Sequence, residues 1–323
     1  MNKIPWFFVS YSFLIIMAGC REFGDGNSQS RKEINKRMLD YYRTHSQWTN
    51  PGQQETMLHG IPDDIPSIVK AVQGCLIHGG LLWLYDLKPS QLQDKGFDIR
   101  RTEEILRRIK ALDKSPINVP RPKEKRLIVN CRQFAVLTCS ILRNKGIPAR
   151  VRAGYSLYTW GGGKFENHWI CEYYKSDEQR WIRVDAQIDD KQKKLMKIDF
   201  NMFDMPQGKF LSAGKGWQLF RNGKADPNMF GLGGKDGWKA LGWDMVMSNV
   251  TCDMMALNKM ELLPWDVSPY WHKKKEQMSA ADMVIIDETA LLCCQVNSRW
   301  ARMRELYDSH LVLQMPKDFE KKE

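Results

Sequence analysis

The spacing of hydrophobic residues predicts a largely helical first third of the chain. Within residues 32–110, apolar side chains recur every three or four positions over residues 63–84, and residues 101–112 show a mixed charged helix pattern. Residues 115–122 end this part of the chain, because three prolines in eight residues cannot occupy the interior of a helix. We therefore expect helices up to this point and a different element beyond it.

A further helix is predicted directly after the short apolar stretch 127–130. Asn130 is a favoured N-cap residue, and Gly146 with Pro148 is typical of a helix end. One face of this helix would be buried and carries the residues Phe134, Leu137, Ile141 and Leu142. The pattern predicts a helix that begins at Cys131 and packs through one apolar face.

Three strands are predicted after this helix, over residues 149–158, 165–174 and 181–187. They are rich in Val, Ile, Trp and Tyr, and turn-forming residues at 161–163 and 175–178 separate them. Short connections favour antiparallel pairing.

The remainder of the chain has a less regular pattern. Asp226-Pro227 is typical of a helix start, and residues 231–237 are rich in glycine but lack the spacing of a phosphate-binding loop. Ser279 is expected to open the longest helix, whose apolar positions recur up to Tyr307.

These elements predict one domain over residues 41–312. Within it, a helical C-terminal extension would cover residues 191–312. We expect residues 20–40 to form a tether and residues 313–323 a polar tail.

Residues 1–19 have the pattern of an export signal. Lys3 precedes an apolar stretch at 4–17 that is too short for a comfortable membrane span, and small residues then precede Cys20 in a sequence that resembles the bacterial lipobox. The expectation is a protein anchored to the cell envelope through a lipid on Cys20. The alternative is a cytoplasmic protein whose true start is Met38.

Length and charge narrow the classes of function. The 323 residues can form a sizeable core, and no run of 18 apolar residues occurs, which excludes a multi-pass membrane protein. The net charge is +11, but its basic clusters are short, dispersed and mixed with acidic residues. We therefore expect no nucleic-acid partner. An alternative interpretation of the positive charge is that the protein binds an anionic polymer of the cell envelope.

The cysteines do not form a metal-binding or disulfide pattern. There are eight, none in a Cys-x-x-Cys pair, and an odd number remains once Cys20 is set aside. At least one thiol is therefore free of any internal disulfide. The sequence predicts neither a metal nor an organic cofactor.

Cys131 is the candidate nucleophile because of its position. At the first turn of a helix capped by Asn130, the free N–H groups and the helix dipole stabilise a thiolate, so we expect the pKa of this thiol to be lowered. Arg126 and Arg132 are expected to act in the same direction. Cys139, two turns into the same helix, lacks this advantage.

His168 and Asp185 are the candidate base and its orienting carboxylate. They lie on the second and third predicted strands. A four-residue turn at 175–178 would pair Tyr174 with Gln179 and place His168 directly opposite Asp185, within hydrogen-bonding reach. A slip of one residue would separate them. A zinc site from Cys131, His168 and Cys171 is a poorer interpretation, because residues three apart on a strand face opposite sides.

These segments resemble the transglutaminase-like superfamily, which has a papain-like fold and a Cys-His-Asp triad. The resemblance lies in Asn-Cys-Arg-Gln-Phe-Ala-Val-Leu at 130–137, the segment 146–155, Glu-Asn-His-Trp-Ile-Cys-Glu-Tyr at 166–173 and Trp-Ile-Arg-Val-Asp at 181–185. Segments 41–46, 225–231 and 257–266 are similar to a bacterial subgroup of unknown substrate. The resemblance implies an α+β fold in which the cysteine helix packs on an antiparallel sheet, with a core of about residues 75–190 and extra helices at both ends.

The resemblance implies that Cys131 is the nucleophile, His168 the base and acid, and Asp185 the orienting carboxylate. The enzyme would attack an amide or acyl carbonyl of a peptide, a protein or another amide, and form a thioester. Water would complete a hydrolysis, which we favour, and an amine would complete a crosslinking transfer. The alternative is a non-catalytic binding or scaffold module on the same fold.

The second donor to the oxyanion of this reaction stays open. The backbone N–H of Cys131 would supply one donor. Three side chains are candidates for the other: Trp83, Gln133 and His78.

Overall fold

The computed structural model describes residues 28–88, 95–159, 165–233, 239–266, 268, 273–316 and 319. The predicted export signal, Cys20 and the glycine loop at 161–163 lie outside these residues. The helices in the described part of the chain are α1 (Ser28–Arg43), α2 (Ile65–Cys75), α3 (Thr102–Leu112), α4 (Cys131–Asn144), α5 (Asp190–Leu195), α6 (Ala213–Arg221), α7 (Trp243–Leu257), α8 (Ala280–Cys294) and α9 (Val296–Ser309).

The described strands form two sheets. They are β1 (Leu76–His78), β2 (Leu127–Val129), β3 (Ala149–Ser156), β4 (Phe165–Lys175), β5 (Arg180–Val184), β6 (Phe210–Ser212), β7 (Phe230–Gly233) and β8 (Lys239–Leu241). β1 and β2 pair in parallel, while the larger sheet has the order β6-β3-β4-β7-β8 with β5 also paired to β4. The three predicted strands are its centre, β3, β4 and β5, and they are antiparallel. The α+β fold expected from the sequence is confirmed.

Helix α4 begins where its cap predicts. The Asn130 side chain accepts a hydrogen bond from the Arg132 backbone N–H at 2.9 Å, and the Gln133 side chain accepts one from the Asn130 N–H at 3.3 Å. These reciprocal bonds satisfy two N–H groups that a helix start leaves open. The helix ends before Gly146, whose φ of +72° suits the left-handed end of a helix.

Helix α4 is almost entirely buried and packs on the larger sheet. Its apolar face joins the main core with Val151 and Ala153 of β3 and Trp169 of β4. Cys139 in the middle of α4 contacts Cys171 of β4 closely enough for a thiol hydrogen bond. The helix that carries Cys131 therefore has its orientation set by the strand that carries His168.

The register of the β4–β5 hairpin differs from the prediction by two residues. Lys175 pairs with Arg180 and Cys171 with Val184, so the turn consists of residues 176–179 rather than 175–178. Gln179 adopts a φ of +49°, which closes the turn one residue later than expected. The expected direct opposition of His168 and Asp185 is therefore wrong, and β5 ends before Asp185.

Several predicted helices differ in extent from the helices in the structure. The predicted helix at 63–84 is interrupted, because Leu76–His78 extends to pair with β2 and a 3₁₀ turn follows at Gly79–Tyr85. The long helix expected after Ser279 is two helices, with non-helical backbone at Gln295 and Arg299. The Asp226-Pro227 start opens only a three-residue 3₁₀ turn. Long-range pairing and packing override local periodicity at these points.

The C-terminal extension is not only helical. It also supplies β6, β7 and β8, which extend the sheet on both sides of β3 and β4. At the other end of the chain, α1 occupies the second half of the stretch predicted to be a tether, and its Met38 and Tyr42 are buried in the main core. Among the described residues, the helices are all too short or too polar to cross a membrane.

Candidate active site

Cys131 occupies the first position of α4 and is partly exposed. Of the other described cysteines, all but Cys294 are buried. The first N–H groups of a helix have no partner within the helix, and they create a partial positive charge at this end. The Cys131 thiol therefore combines access from solvent with a helix N-terminus.

The arginine at the next position serves the fold. The Arg132 guanidinium is buried and donates to the backbone carbonyls of Ile99 at 3.0 Å, Arg100 at 2.7 Å and Leu262 at 3.2 Å. Arg126 likewise donates to the Arg121 carbonyl at 3.1 Å. These hydrogen bonds give both side chains a structural role, in which Arg132 anchors the start of α4.

His168 and Asp185 are hydrogen-bonded despite the altered register. His168 Nε2 lies 2.7 Å from Asp185 Oδ2, and both side chains are buried. In the observed register, Asp185 continues β5 at the position opposite Ile170, so it lies diagonal to His168 on the same face. A slip of two residues preserves the face of every side chain, whereas a slip of one would not.

The environment of His168 favours its protonated form. Burial by itself lowers the pKa of this imidazole, but the charge of Asp185, the hydrogen bond to it and a hydrogen bond with Cys131 raise the pKa of His168 well above its ordinary value. Since Nε2 contacts Asp185, Nδ1 is the nitrogen left for the thiol. The three predicted residues are therefore brought together in the order Cys131, His168, Asp185.

Asp185 is held by two further hydrogen bonds. Its Oδ1 accepts from the Gln187 backbone N–H at 2.9 Å, and its Oδ2 accepts from the Tyr158 hydroxyl at 2.7 Å. The same Oδ2 therefore faces both Tyr158 and His168. These bonds fix the orientation of the carboxylate, which in turn fixes the imidazole.

Tyr158 is a site residue that the sequence reasoning missed. Its ring packs edge-on against His168, with centroids 6.0 Å apart, and against Phe200 at 5.5 Å. Alternate residues of a strand share a face, and this pattern indicates the position of Tyr158. Gly154 pairs directly with His168, and Tyr158 is an even number of residues further along the chain. A side chain at Gly154 would clash with the Leu211 carbonyl oxygen, 2.3 Å from the position of a Cβ, and with the Phe210 ring at 2.6 Å.

Gln133, one of the candidate oxyanion donors, uses its side-chain N–H groups in hydrogen bonds within the fold. Its carboxamide N–H group donates to the carbonyls of Gly96 at 3.2 Å, Phe97 at 2.9 Å and Ile99 at 3.2 Å, and its oxygen closes the capping box of α4. Gln133 therefore holds the segment 96–99 against the helix. Trp83 lies on the 3₁₀ turn and is 41% exposed.

Cys171 does not join the candidate site. Its thiol lies against Cys139 on the α4 side of the sheet, and burial raises its pKa well above the ordinary value. Within the described residues, no group of three or more His, Cys, Asp or Glu side chains has the arrangement of a metal site. The alternative zinc site from Cys131, His168 and Cys171 is thus not formed.

We predict that the Tyr158→Phe variant raises the pKa of His168 further, by up to about one pH unit. The phenol now donates to Asp185, and its loss leaves more of the carboxylate charge to act on the imidazolium. Glu166, whose carboxyl group also interacts with His168, is unchanged in this variant. An NMR titration of the His168 ring measures the shift.

The matched control for this titration is Tyr173→Phe, which removes a hydroxyl bonded to the Phe203 carbonyl at 3.3 Å, away from Asp185. An unchanged or lowered pKa in the Tyr158→Phe variant contradicts the assigned contact.

Comparison with known proteins identifies the region that contains the site. Residues 117–186, which include Cys131, His168 and Asp185, match the model of the transglutaminase-like superfamily. Among solved structures, a candidate cysteine protease from Cytophaga hutchinsonii aligns with 46% of this chain and 42% of its own, at 16% identity and a TM-score of 0.30. The alignment thus spans less than half of that protein. No curated protein is significantly similar to the chain.

Proposed function

We propose that the protein is a cysteine enzyme of the transglutaminase-like type that cleaves or transfers acyl groups from amides. The match of residues 117–186 to the model of that superfamily supports this proposal. The observation that carries this proposal is the chain of contacts from the partly exposed Cys131 through His168 to Asp185. A nucleophile, a base and an orienting carboxylate in hydrogen-bonding sequence are the parts that covalent acyl transfer requires.

The reaction begins with a thiolate at Cys131 and an imidazolium at His168. The thiolate sulfur attacks the carbonyl carbon, and the carbonyl oxygen takes up the negative charge of the tetrahedral intermediate. His168 then gives its proton to the leaving amine, and the C–N bond breaks to leave a thioester on Cys131. Asp185 keeps the imidazole oriented and stabilises its positive charge throughout.

The neutral His168 that remains activates the second nucleophile. It takes a proton from water, the hydroxide attacks the thioester, and the carboxylic acid product leaves as the thiolate reforms. A primary amine in place of water would give a new amide. We propose hydrolysis of a peptide-type amide as the main reaction, because transfer requires an acceptor site that excludes water.

The first test is the rate at which iodoacetamide labels each cysteine of the folded protein at pH 6. A thiol with a pKa of about 8.5 is only about 0.3% ionised at that pH, but a thiolate of low pKa is less nucleophilic. These opposing effects predict an advantage on the order of tenfold for Cys131. Peptide mass mapping reports the rate at each site.

Cys294 is the internal control, since it is also partly exposed while burial raises the pKa of its thiol. The advantage of Cys131 should disappear in His168→Ala. Labelling of Cys131 no faster than that of Cys294 would reject the catalytic proposal in favour of a binding module.

If Cys131 is activated, the acyl acceptor can be identified with a glutamine-containing peptide and a fluorescent primary amine. Release of ammonia or of a shortened peptide without incorporation of the amine supports hydrolysis. Amine in the product indicates transfer instead.

A further inference from the structure

His78 lies at the end of β1, next to the start of the helix that carries Cys131. β1 and β2 are parallel, and His78 pairs with Val129, the last residue before Asn130 and Cys131. Parallel strands end at the same edge of a sheet, so both chains leave the sheet side by side. The charges of His168 and Asp185 also act on the His78 imidazole, so its ring lies near that pair.

The hydrogen bonding of His78 determines which of its nitrogens carries a proton. Nδ1 accepts the Gly80 backbone N–H at 3.2 Å, so it has no hydrogen of its own. Burial, and then the charge of His168, lower the pKa of His78 to about 4. The ring is therefore neutral at pH 7 with its hydrogen on Nε2. Among the described residues, no group accepts a hydrogen bond from Nε2.

A second candidate donor follows Val129, the strand partner of His78, by two residues. The Cys131 backbone N–H is at the first position of α4, and the Asn130 side chain caps the next N–H, that of Arg132. Within the described residues, the Cys131 N–H has no acceptor. An oxyanion of an acyl-transfer intermediate is stabilised by N–H donors beside the nucleophile, and the pairing of His78 with Val129 brings a second donor to the start of α4.

We propose that His78 donates its Nε2–H to the substrate carbonyl oxygen and, with the Cys131 N–H, holds the negative charge that forms there. This inference rests on the proposed function. A neutral imidazole can serve in this way because it donates without giving up its proton. Gln133 is already committed to three carbonyls, so the structure favours His78 over it, and Trp83 is compared directly in the test.

The test compares two reactions of Cys131 that differ in their need for an oxyanion. Acylation by p-nitrophenyl acetate passes through a tetrahedral oxyanion, whereas alkylation by iodoacetamide does not. The burst of nitrophenolate in a stopped-flow instrument gives the first rate, and mass mapping of Cys131 gives the second. His78→Ala should lower the acylation rate by on the order of 100-fold and leave the alkylation rate within about twofold of wild type.

Two conservative variants separate donation from a structural role. In His78→Asn the carboxamide oxygen can still accept the Gly80 N–H, but the distant donor is lost. In His78→Gln an amide N–H reaches about as far as Nε2 does. We expect the asparagine variant to acylate as slowly as the alanine variant, and the glutamine variant to recover part of the rate.

Two further variants act as controls. His59→Ala removes an exposed histidine and should match wild type. Trp83→Phe removes the indole N–H and should also match wild type; a selective loss of acylation there would assign the donor to Trp83 and overturn the proposal.

The possible results distinguish the proposed role of His78 from the proposed function of the protein. Wild-type protein that is neither acylated nor preferentially alkylated at Cys131 contradicts the proposed function itself. Acylated wild type with an unaffected His78→Asn variant contradicts only the role of His78. An equal loss of acylation and alkylation in all three His78 variants identifies a structural role instead.

Discussion

The Asp185→Asn variant is expected to lose turnover by on the order of 10³-fold. Asp185 Oδ2 now lies 2.7 Å from His168 Nε2, and only an acceptor at that point keeps the hydrogen on Nε2. A carboxamide can donate an N–H to Nε2 instead, which moves the ring hydrogen to Nδ1, the nitrogen that faces Cys131. In that tautomer His168 cannot take a proton from the thiol or from water.

The same substitution should change the pH dependence in a defined direction. Asp185 contributes to raising the pKa of His168 well above its ordinary value, so removal of its charge lowers that pKa. The imidazolium then loses its proton at lower pH, so the alkaline limb of the pH–rate profile, where turnover falls because His168 no longer protonates the leaving amine, moves to lower pH. Tyr158→Phe is expected to move the same limb in the opposite direction, because it removes a donor that partly compensates Asp185.

The control for Asp185→Asn is Asp204→Asn. Asp204 is a partly exposed aspartate in an ion pair with Arg180, and its substitution should leave both turnover and the pH profile unchanged. Turnover in Asp185→Asn within about tenfold of wild type, at the same pH optimum, would show that His168 does not depend on this carboxylate.

The Glu172→Gln variant is expected to lose about 3–5 kcal/mol of unfolding free energy at pH 7. Glu172 lies on β4, four residues beyond His168, and is buried among three arginines. Its carboxylate oxygens contact Arg150 at 2.7 Å, Arg152 at 3.0 Å and Arg183 at 3.1 Å. An amide removes the negative charge that these buried guanidinium groups share and leaves them insufficiently compensated.

The stability difference should also depend on pH. Burial raises the pKa of Glu172, but the three arginines outweigh it and hold this pKa well below the usual range. A carboxylate with a depressed folded pKa contributes fully above its unfolded pKa of about 4.3, and this contribution is lost as pH falls further. The gap between wild type and Glu172→Gln should therefore be largest above about pH 5 and shrink in more acidic solution.

Urea unfolding at several pH values measures this difference, and Glu178→Gln is the matched control. Glu178 is an exposed glutamate that contacts Lys175 and Arg180, so its substitution should cost far less stability than that of Glu172. An equally small loss for Glu172→Gln would mean that the buried arginines find other partners. A large loss would show that this cluster stabilises the strand that positions His168.

The parts of the site that depend on neighbouring residues could be predicted from the sequence. Asn130 and Gln133 form the capping box within one turn of helix, so the start of α4 at Cys131 follows from local hydrogen bonding. The period of alternate residues likewise placed His168 and Asp185 on one face of the sheet. The prediction of a shared face holds although the predicted register was wrong by two residues. A shift by an even number of residues changes the pairing partner of each residue but leaves its side chain on the same face of the sheet.

The sequence predicted the structure less well where segments that are far apart along the chain come into contact. The helix expected at 63–84 gives way to β1 because Leu76–His78 pairs with β2, about fifty positions further along the chain. Only that pairing brings His78 beside Cys131. Gln133 was a candidate donor by position, yet the segment 96–99 takes up its amide hydrogens. Neither contact can be predicted from the residues adjacent to it in the sequence.

The sequence by itself therefore determined the helix start at Cys131, the three central strands and the face shared by His168 and Asp185. These depend on capping, strand period and turn-forming residues, which act over a few positions. The tertiary structure alone decided the register of the hairpin, the hydrogen bond of Tyr158 to Asp185 and the position of His78. These depend on which distant segments bury each other's surface, and packing free energy is a property of the whole core.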